Sequence, residues 1–510
     1  MTSGTPTFIP YDQDQLSLLP PSLEDFVAKD HPARILNEIV EKIDITSLNK
    51  SYKCKGRASY HPKMLLKVLV YAYITNIYSS RKIEVACKEN IHFMWLSGMS
   101  FPDHNTINRF RSERLAKHLR TVFDQIVLLL AEEGFLSIEE AYIDGTKIDA
   151  NANKYTFVWK KSIAYYKEKM VEQLNTIWKY AQSVAKEEDD LPPPPEFKVI
   201  DKESIQQAID TLNEVLKDNP EVSKEIKLKL KYANDNYPKK IEEYLEKEEI
   251  FGDRNSYSKT DPDATFMRMK EEHMLNGQLK PGYNVQISSN NQFILNYTIH
   301  SNPTDTTTLE RHLDQHQTSF GALPSQIIAD AGYGSEENYE FLERQKITAY
   351  VKFNTFDKEQ RKKKHDNDFT KDSLHYNSEK DCFICPMGQE MSYIGGVQRK
   401  TSNGYVQTLK RYRAKNCQGC PLNGVCHKSK QNRIIEINTN LNTHRKKASE
   451  LLNSKEGIKK RKKRCHDVET VFGNIKHNYS FRRFMLRGKE KVEIEWGLLA
   501  IAQNIRKRAA

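Results

Sequence analysis

The spacing of hydrophobic positions changes several times along the chain, and each change marks a new element. Residues 1–25 carry Pro6, Pro10, Pro20 and Pro21 without a sustained apolar period, and they read as a poorly structured N-terminal arm. From 26 to 137 apolar residues recur every three or four positions, the period of helices buried on one face. The pattern predicts helices at Ala33–Lys42, Pro62–Tyr78, Ser80–Cys87, Asn90–Leu96, Asn105–Ser112 and Leu115–Glu133. Pro62 occupies a favoured first helical position, and Ser80 and Asp103 are expected caps. This part of the chain is expected to be all-α.

The period then shortens. Glu140–Gly145 reads as a short strand that stops at Asp144 and Gly145. Residues 160–250 are helical and highly charged, interrupted at Leu191–Pro195. They read as a helical hairpin with a Pro-rich hinge, too poor in apolar residues for a core of its own. Strand patterns return at Tyr283–Ser288 and Gln292–Ile299, around the turn Ser289-Asn290-Asn291. Helix is expected at 305–317 and Glu336–Gln345, and strand at Gln326–Asp330 and Thr348–Phe353. Residues 355–430 read as irregular, and helices follow at 440–453, 456–477 and Glu493–Arg508. Without the insertions the order is α/β, with one hairpin and later crossovers.

Composition narrows the class. At 510 residues the chain is long enough for about three or four domains. Mean hydropathy is −0.73, with 38% hydrophobic and 29% charged residues, which suits real cores joined to charged helical parts. Lys and Arg number 79 against 68 Asp and Glu, a net charge of +11 that fits a nucleic-acid partner where it is clustered. The longest apolar stretches, Met64–Ile77 and Ile126–Leu130, fall short of the roughly 18–20 residues of a membrane span. The first residues lack the basic and apolar regions of a secretory signal. A cytoplasmic, nucleoid-associated protein is expected, with no membrane partner.

Candidate chemistry begins with carboxylates at strand ends. Asp144 ends the first strand and Asp330 the fourth, where ligand sites of open α/β sheets gather. Glu469, in the predicted helix 456–477, is the third. Two strand-end carboxylates and one from a packed helix can hold two hard divalent ions, which clamp both oxygens of an in-line phosphoryl displacement. The plainer alternative makes Asp144 a turn residue, Asp330 a cap and Glu469 a solvated helical side chain. Asp149 and Asp305 are competing carboxylates, Asp149 past the strand end and Asp305 able to support the site or, the better fit, to cap its helix.

The chain resembles bacterial insertion-sequence transposases of the DDE type. The stretches that carry the likeness run in order from about Asp30 to Arg508. They include Tyr60-His61-Pro62, Ser79-Ser80-Arg81-Lys82 with Glu84, and Pro102–Arg111. Asp144-Gly145-Thr146, Thr260–Ala264, Lys280–Gln286 and Ala329–Tyr333 follow. The last block holds Val468-Glu469, Phe472-Gly473, Ile475-Lys476, Arg482-Arg483-Phe484, Arg487-Gly488 and Glu495-Trp496. The resemblance implies that Asp144, Asp330 and Glu469 are the catalytic triad on an α/β RNase H-like core with a mixed sheet and flanking helices. It implies Mg²⁺ or Mn²⁺ as cofactor, and cleavage at transposon ends followed by strand transfer into target DNA. Lys476 matches a family Lys seven positions after the Glu, about two helical turns, so both would share a face. The family often places Tyr and Arg upstream of the Glu; Arg464 stands for the Arg, and the Tyr has no counterpart.

The implied organisation is an arm (1–25), a helical DNA-binding domain (26–137) and a catalytic domain in three pieces (138–159, 251–354, 432–510). A helical insertion (160–250) and a Cys-rich insertion (355–431) interrupt it. Cys382-x2-Cys385 and Cys417-x2-Cys420 have the spacing of Zn²⁺ knuckles, with Cys426 spare, and the fourth ligand is left open between Cys420 and Cys426. Reduced thiols in a loop are the alternative, and Cys54, Cys87 and Cys465 read as unpaired. Six consecutive cations, Lys459–Arg464, precede Glu469. With Arg361–Lys364, Arg482, Arg483, Arg487 and Arg506–Arg508 they suit DNA phosphates, although a charge run is more often a solvated face. Arg81, Arg109 and Arg111 near two helix starts resemble a helix-turn-helix reader, the alternative being an ordinary helical bundle that docks on the catalytic domain. Trp159, Tyr165 and Tyr166 read as anchors of the helical insertion. The expected partner is double-stranded DNA, both transposon ends and target, bound by a homodimer. The rival readings are a metal-dependent nuclease that does not join, a domesticated DNA-binding remnant, and an RNA-binding Zn scaffold without any RRM or KH signature.

Overall fold

The computed structural model describes residues 22–52, 58–184, 200–216, 222–269, 278–361, 369–401 and 403–510. The expected arm up to residue 21, the 191–195 hinge, Cys54 and residues 362–364 of the Arg361–Lys364 cluster lie outside them. The N-terminal helices are α1 (Pro32–Lys42), α2 (Thr46–Lys50), α3 (Pro62–Ile74), α4 (Ser80–Glu89), α5 (Ile91–Ser97), α6 (His104–Arg109) and α7 (Leu119–Glu132). The chain continues through β1 (Glu140–Asp149), β2 (Phe157–Trp159), α8 (Lys160–Val184), α9 (Lys202–Leu216), α10 (Lys224–Phe251), β3 (Ser256–Ser258), β4 (Thr265–Arg268), β5 (Leu279–Asn290) and β6 (Phe293–His300). Then come α11 (Leu309–Phe320), β7 (Gln326–Ala329), α12 (Glu336–Arg344), β8 (Thr348–Val351) and α13 (Phe356–Gln360). Next are β9 (His375–Asn377), β10 (Cys382–Ile384), β11 (Glu390–Lys400), β12 (Val406–Ala414) and β13 (Ile434–Ile437). The chain ends in α14 (Thr439–Asn453), α15 (Lys455–Arg464), α16 (Thr470–Gly473) and α17 (Lys489–Ala509).

Local chemistry starts several of these helices. Both α1 and α3 open on a His-Pro pair: His31 and His61 accept from the amides of Ala33 and Lys63 through Nδ1, and the proline takes the first helical position. Asp103 caps α6 by accepting from Thr106 N at 2.6 Å. Ser80 does not cap α4; it is the first helical residue, and the preceding Ser79 makes no side-chain cap bond.

The central sheet runs β4-β5-β1-β7-β8, with β6 also on β5. β1 is antiparallel to β5 and parallel to β7, and β7 is parallel to β8, so the sheet is mixed. Helix α17 lies between this sheet and the N-terminal helices, touching α3, α7 and β6. Its side chains from Ile494 to Ile505 are therefore buried all round. One continuous core joins the N-terminal helices to the sheet, so residues 26–137 do not enclose a separate core.

Several expectations are corrected. β1 does not stop at Asp144; it stays paired with β5 as far as Asp149↔Gly282. The hairpin turn is the two residues Asn291 and Gln292, both at positive φ (52° and 69°), as the twist of such a turn requires. The helical insertion is α8, α9 and α10 rather than a hairpin, and it does have its own core, with Leu174, Trp178, Ile209, Leu212 and Ile241 buried together. Strands β2 and β3 pair at its root, where Trp159 meets Phe266, while Tyr165 and Tyr166 are exposed and anchor nothing. The Cys-rich stretch is not irregular: β9 to β13 form an antiparallel sheet around Phe383, Met391, Tyr412 and Ile435. Its long hairpin β11–β12 is solvated on much of both faces, which erases the alternation that would have betrayed it. Among the described residues no helix is long and apolar enough to cross a membrane.

Candidate active site

Strand register brings the first two carboxylates together. The parallel pairing of β1 with β7 ends at Ile143↔Ala329, so Asp144 and Asp330 are the next residues on neighbouring strands. Asp144 is 8% exposed. Gly145 follows it, where a side chain would have to displace Gln286 and Asp305. A Cβ would lie 2.2 Å from Nε2 of Gln286 and 2.6 Å from Oδ1 of Asp305. Asp330 accepts from Gly332 N at 2.8 Å, which turns the chain away from the sheet.

The third carboxylate arrives from the helical segment after α15. Residues Cys465–Glu469 and Asn474–Asn478 are wound as π-helix on either side of α16. The wider i→i+5 winding sets side chains five apart beside each other. Arg464 and Glu469 therefore meet at 3.0 Å, Nη1 to Oε1. The other guanidinium nitrogen of Arg464, Nη2, lies 3.3 Å from Oδ2 of Asp144 and 3.9 Å from Oδ2 of Asp330. Three carboxylates thus share one cation, and Nε of the same guanidinium is buried without a hydrogen-bond partner. Among the described residues no three His, Cys, Asp or Glu side chains are gathered closely enough to hold a metal ion directly. Here the carboxylates are turned to Arg464 instead. An all-carboxylate oxygen set that already converges on a cation fits a hard divalent ion.

Asp467, two residues before Glu469, fixes this segment on the sheet. It is 2% exposed and accepts from the amides of Asn291 and Gln292 at 3.0 and 2.9 Å. Its only local signal in the sequence is an acidic residue between the basic run and Glu469. Asp305 does not cap its helix. Its Oδ1 accepts from Asn284 Nδ2 and Gln286 Nε2, both at 2.8 Å, and Gln286 in turn accepts from the Tyr333 hydroxyl. Burial, then Asp305, Asp144 and Asp330, raise the pKa of Tyr333, so this phenol stays protonated beside the trio. Asp149 ends β1 away from the trio, beside Lys280 at 3.9 Å. Burial raises its pKa, against Lys280, Arg483 and Lys476.

The basic residues divide into exposed and internal ones. Of the run Lys459–Arg464, the helix turns Lys460 inward to Glu140 at 2.6 Å and Lys463 to Asn291 at 3.1 Å, and it lays Arg461 over the Phe356 ring. Only part of the run faces solvent, because a helical period spreads consecutive residues around the axis. Arg506 binds the last carbonyls of α3, and Arg508 pairs with Glu133, so both are structural. Lys476 is buried, and its charge is one of those that lower the pKa of Asp149 against burial. Arg482, Arg483 and Arg487 stay exposed along a loop on the end of β1, bonded to the carbonyls of Lys476, Ala150 and Asn151 respectively. Arg81 and Arg109 are exposed. Arg111 is corrected: it is 3% exposed and spent on the Tyr78 carbonyl and Asn108, and it cannot read DNA.

A cavity of about 20 Å³ in the Cys-bearing sheet is lined by Cys385, Cys417, Cys420, Cys426, His427 and Arg433, among others. Cys382 lies on β10, buried and off this cavity. Arg433 donates to Cys426 Sγ through Nη1 at 2.9 Å and to Cys417 Sγ through its amide at 3.4 Å, and both ring nitrogens of His427 lack partners. Cys87 is buried, its thiol pushed up to about 11, and Cys465 is exposed.

Two family models match the chain. Residues 384–509 match a transposase DDE domain, a span that includes Glu469 and stops short of Asp144 and Asp330. Residues 21–113 match a transposase domain known as DUF772. No curated protein and no solved structure matches the chain.

Proposed function

For a chain that is a DNA transposase of the insertion-sequence DDE type, we propose that Asp144, Asp330 and Glu469 form the catalytic centre of an RNase H-like core. The protein is a nucleotidyl-transfer enzyme of a family that uses divalent metal. In this reading the metal is Mg²⁺ or Mn²⁺. When bound it supplies charge for the attacking and leaving oxygens of a phosphoryl displacement. The observation that carries the reading is the convergence of three carboxylates, one inside β1, one just after the neighbouring β7 and one from a helical segment, on a single cation.

The chain's own groups orient the reaction. The carboxylates would hold the ions, and Asp467 and Asp305 keep the elements bearing them in register. Arg482, Arg483 and Arg487 neutralise phosphates beside the site, and Arg81 and Arg109 of the N-terminal helices contact the duplex. Water cleaves a strand at the transposon end and leaves a 3′-OH; that hydroxyl attacks a target phosphate and expels the target 3′ oxygen. No covalent protein–DNA bond forms. Two ends are held by a homodimer. The Cys-bearing sheet is an insertion into the catalytic domain. Its thiols Cys385, Cys417, Cys420 and Cys426 hold a structural Zn²⁺, with Cys382 outside the set; the shared cavity is the support.

The test is a cleavage and strand-transfer assay on DNA carrying the ends that flank this gene, with Mg²⁺ or Mn²⁺, comparing wild type with Asp330→Asn. Cleavage and joining that vanish in the variant are expected. Cleavage without joining would make the protein a nuclease. Binding without chemistry in wild type would leave only a DNA-binding remnant.

A further inference from the structure

The three carboxylates of the site carry a formal charge of −3, and one cation offsets part of their mutual repulsion. That cation is Arg464, whose guanidinium reaches all three, at 3.0, 3.3 and 3.9 Å. We infer that Arg464 is a displaceable internal counter-ion that competes with divalent metal for the Asp144–Asp330–Glu469 trio. This rests on the trio being the metal site.

Four observations support displacement over a fixed structural role. A guanidinium is a planar fork suited to carboxylates, but it leaves a net formal charge of −2 in this cluster, so a more highly charged ion is the better partner. The Arg464 fork is incompletely satisfied, because its Nε is buried with no acceptor. The site is open on one side, with the Asp330 side chain 33% and the Glu469 side chain 51% exposed, so solvent can reach the carboxylates directly. Finally, Arg464 joins α15 to a π-helical segment, whose winding alone brings it beside Glu469. Relaxing that turn to ordinary α-helix would separate positions 464 and 469. Released from the trio, the side chain remains beside the site, where a DNA phosphate offers it an alternative anionic partner.

The experiment measures Mn²⁺ binding to the purified full-length chain without DNA, by electron paramagnetic resonance of free Mn²⁺. It compares wild type with Arg464→Gln, Arg464→Lys and Asp330→Asn. Thermal unfolding in EDTA and in saturating Mn²⁺ accompanies it. Arg464→Gln should bind Mn²⁺ about tenfold more tightly than wild type, a difference of about 1.4 kcal/mol. Arg464→Lys should fall between them, because one ammonium cannot fork to three carboxylates. Arg464→Gln should melt below wild type in EDTA and recover in Mn²⁺, whereas a merely structural Arg would cost stability equally in both. Should Arg464→Gln fail to fold without metal, Arg464→Lys carries the comparison. Equal or weaker Mn²⁺ binding by the Arg464 variants, with binding still lowered in Asp330→Asn, would overturn the counter-ion role and leave the trio standing. Unchanged binding in Asp330→Asn would overturn the trio itself.

Discussion

Glu495 gives the chain a stability that depends on pH in an unusual direction. Its carboxyl is fully buried on α17, between the N-terminal helices and the sheet. It accepts from the amides of Met485 and Leu486 at 3.0 Å, pinning the loop that presents Arg482, Arg483 and Arg487. Burial raises its pKa to about 7 from an ordinary 4.5, against the lowering effect of the two amides and of Arg111. A carboxyl raised on folding favours the protonated fold. Its contribution is fully present below about pH 4.5 and is lost as pH rises through about 7. A shift of this size is worth about 3 kcal/mol in all, of which about 2.5 kcal/mol falls between pH 5 and pH 8. Glu495→Gln removes the titration and keeps an acceptor oxygen. Urea unfolding followed by fluorescence of the adjacent, buried Trp496 should therefore show the variant gaining about 2.5 kcal/mol relative to wild type from pH 5 to pH 8. Taking the difference cancels the other titrating groups. A difference that stays flat, or moves the other way, would refute the assigned burial of a charged Glu495.

Gly145→Ala should cost about 1–3 kcal/mol in urea unfolding, because its methyl would overlap Gln286 and Asp305, and transposition should fall with it as the Asp144 strand shifts. Elemental analysis should find one Zn²⁺ per chain in wild type and in Cys382→Ser, and none in Cys417→Ser; metal lost equally from both variants would reject the cavity as the site. Arg109→Ala should weaken duplex binding and lower its salt dependence by about one counter-ion's worth, with little change in stability. Arg111→Ala should instead lower the melting temperature of the DNA-free protein, because a buried, bonded guanidinium is removed.

The local elements were legible where each carried its own period. The N-terminal helices follow from three-and-four apolar spacing, with Pro62 opening α3 and Asp103 capping α6, and β7 from an apolar run ending at Asp330. The Cys-bearing sheet was not legible, because its long hairpin is wet on much of both faces and shows no alternation. The insertion core was missed because its apolar residues are sparse on each helix and sufficient only when three helices pool them.

The same division runs through the site. By itself the sequence determined which carboxylates are available and in what order, because residue type and order along the chain are local properties of Asp144, Asp330 and Glu469. It also determined that cations concentrate before Glu469. Where those cations point was decided by tertiary structure: helical winding sends Lys460 to Glu140 and Lys463 to Asn291, and a π-turn brings Arg464 to the carboxylates. Tertiary packing also took Arg111 and Lys476 inward and made α17 the shared wall of one core. A linear pattern fixes period and composition. Contacts between residues hundreds of positions apart depend on register and winding, and those exist only once the chain has folded.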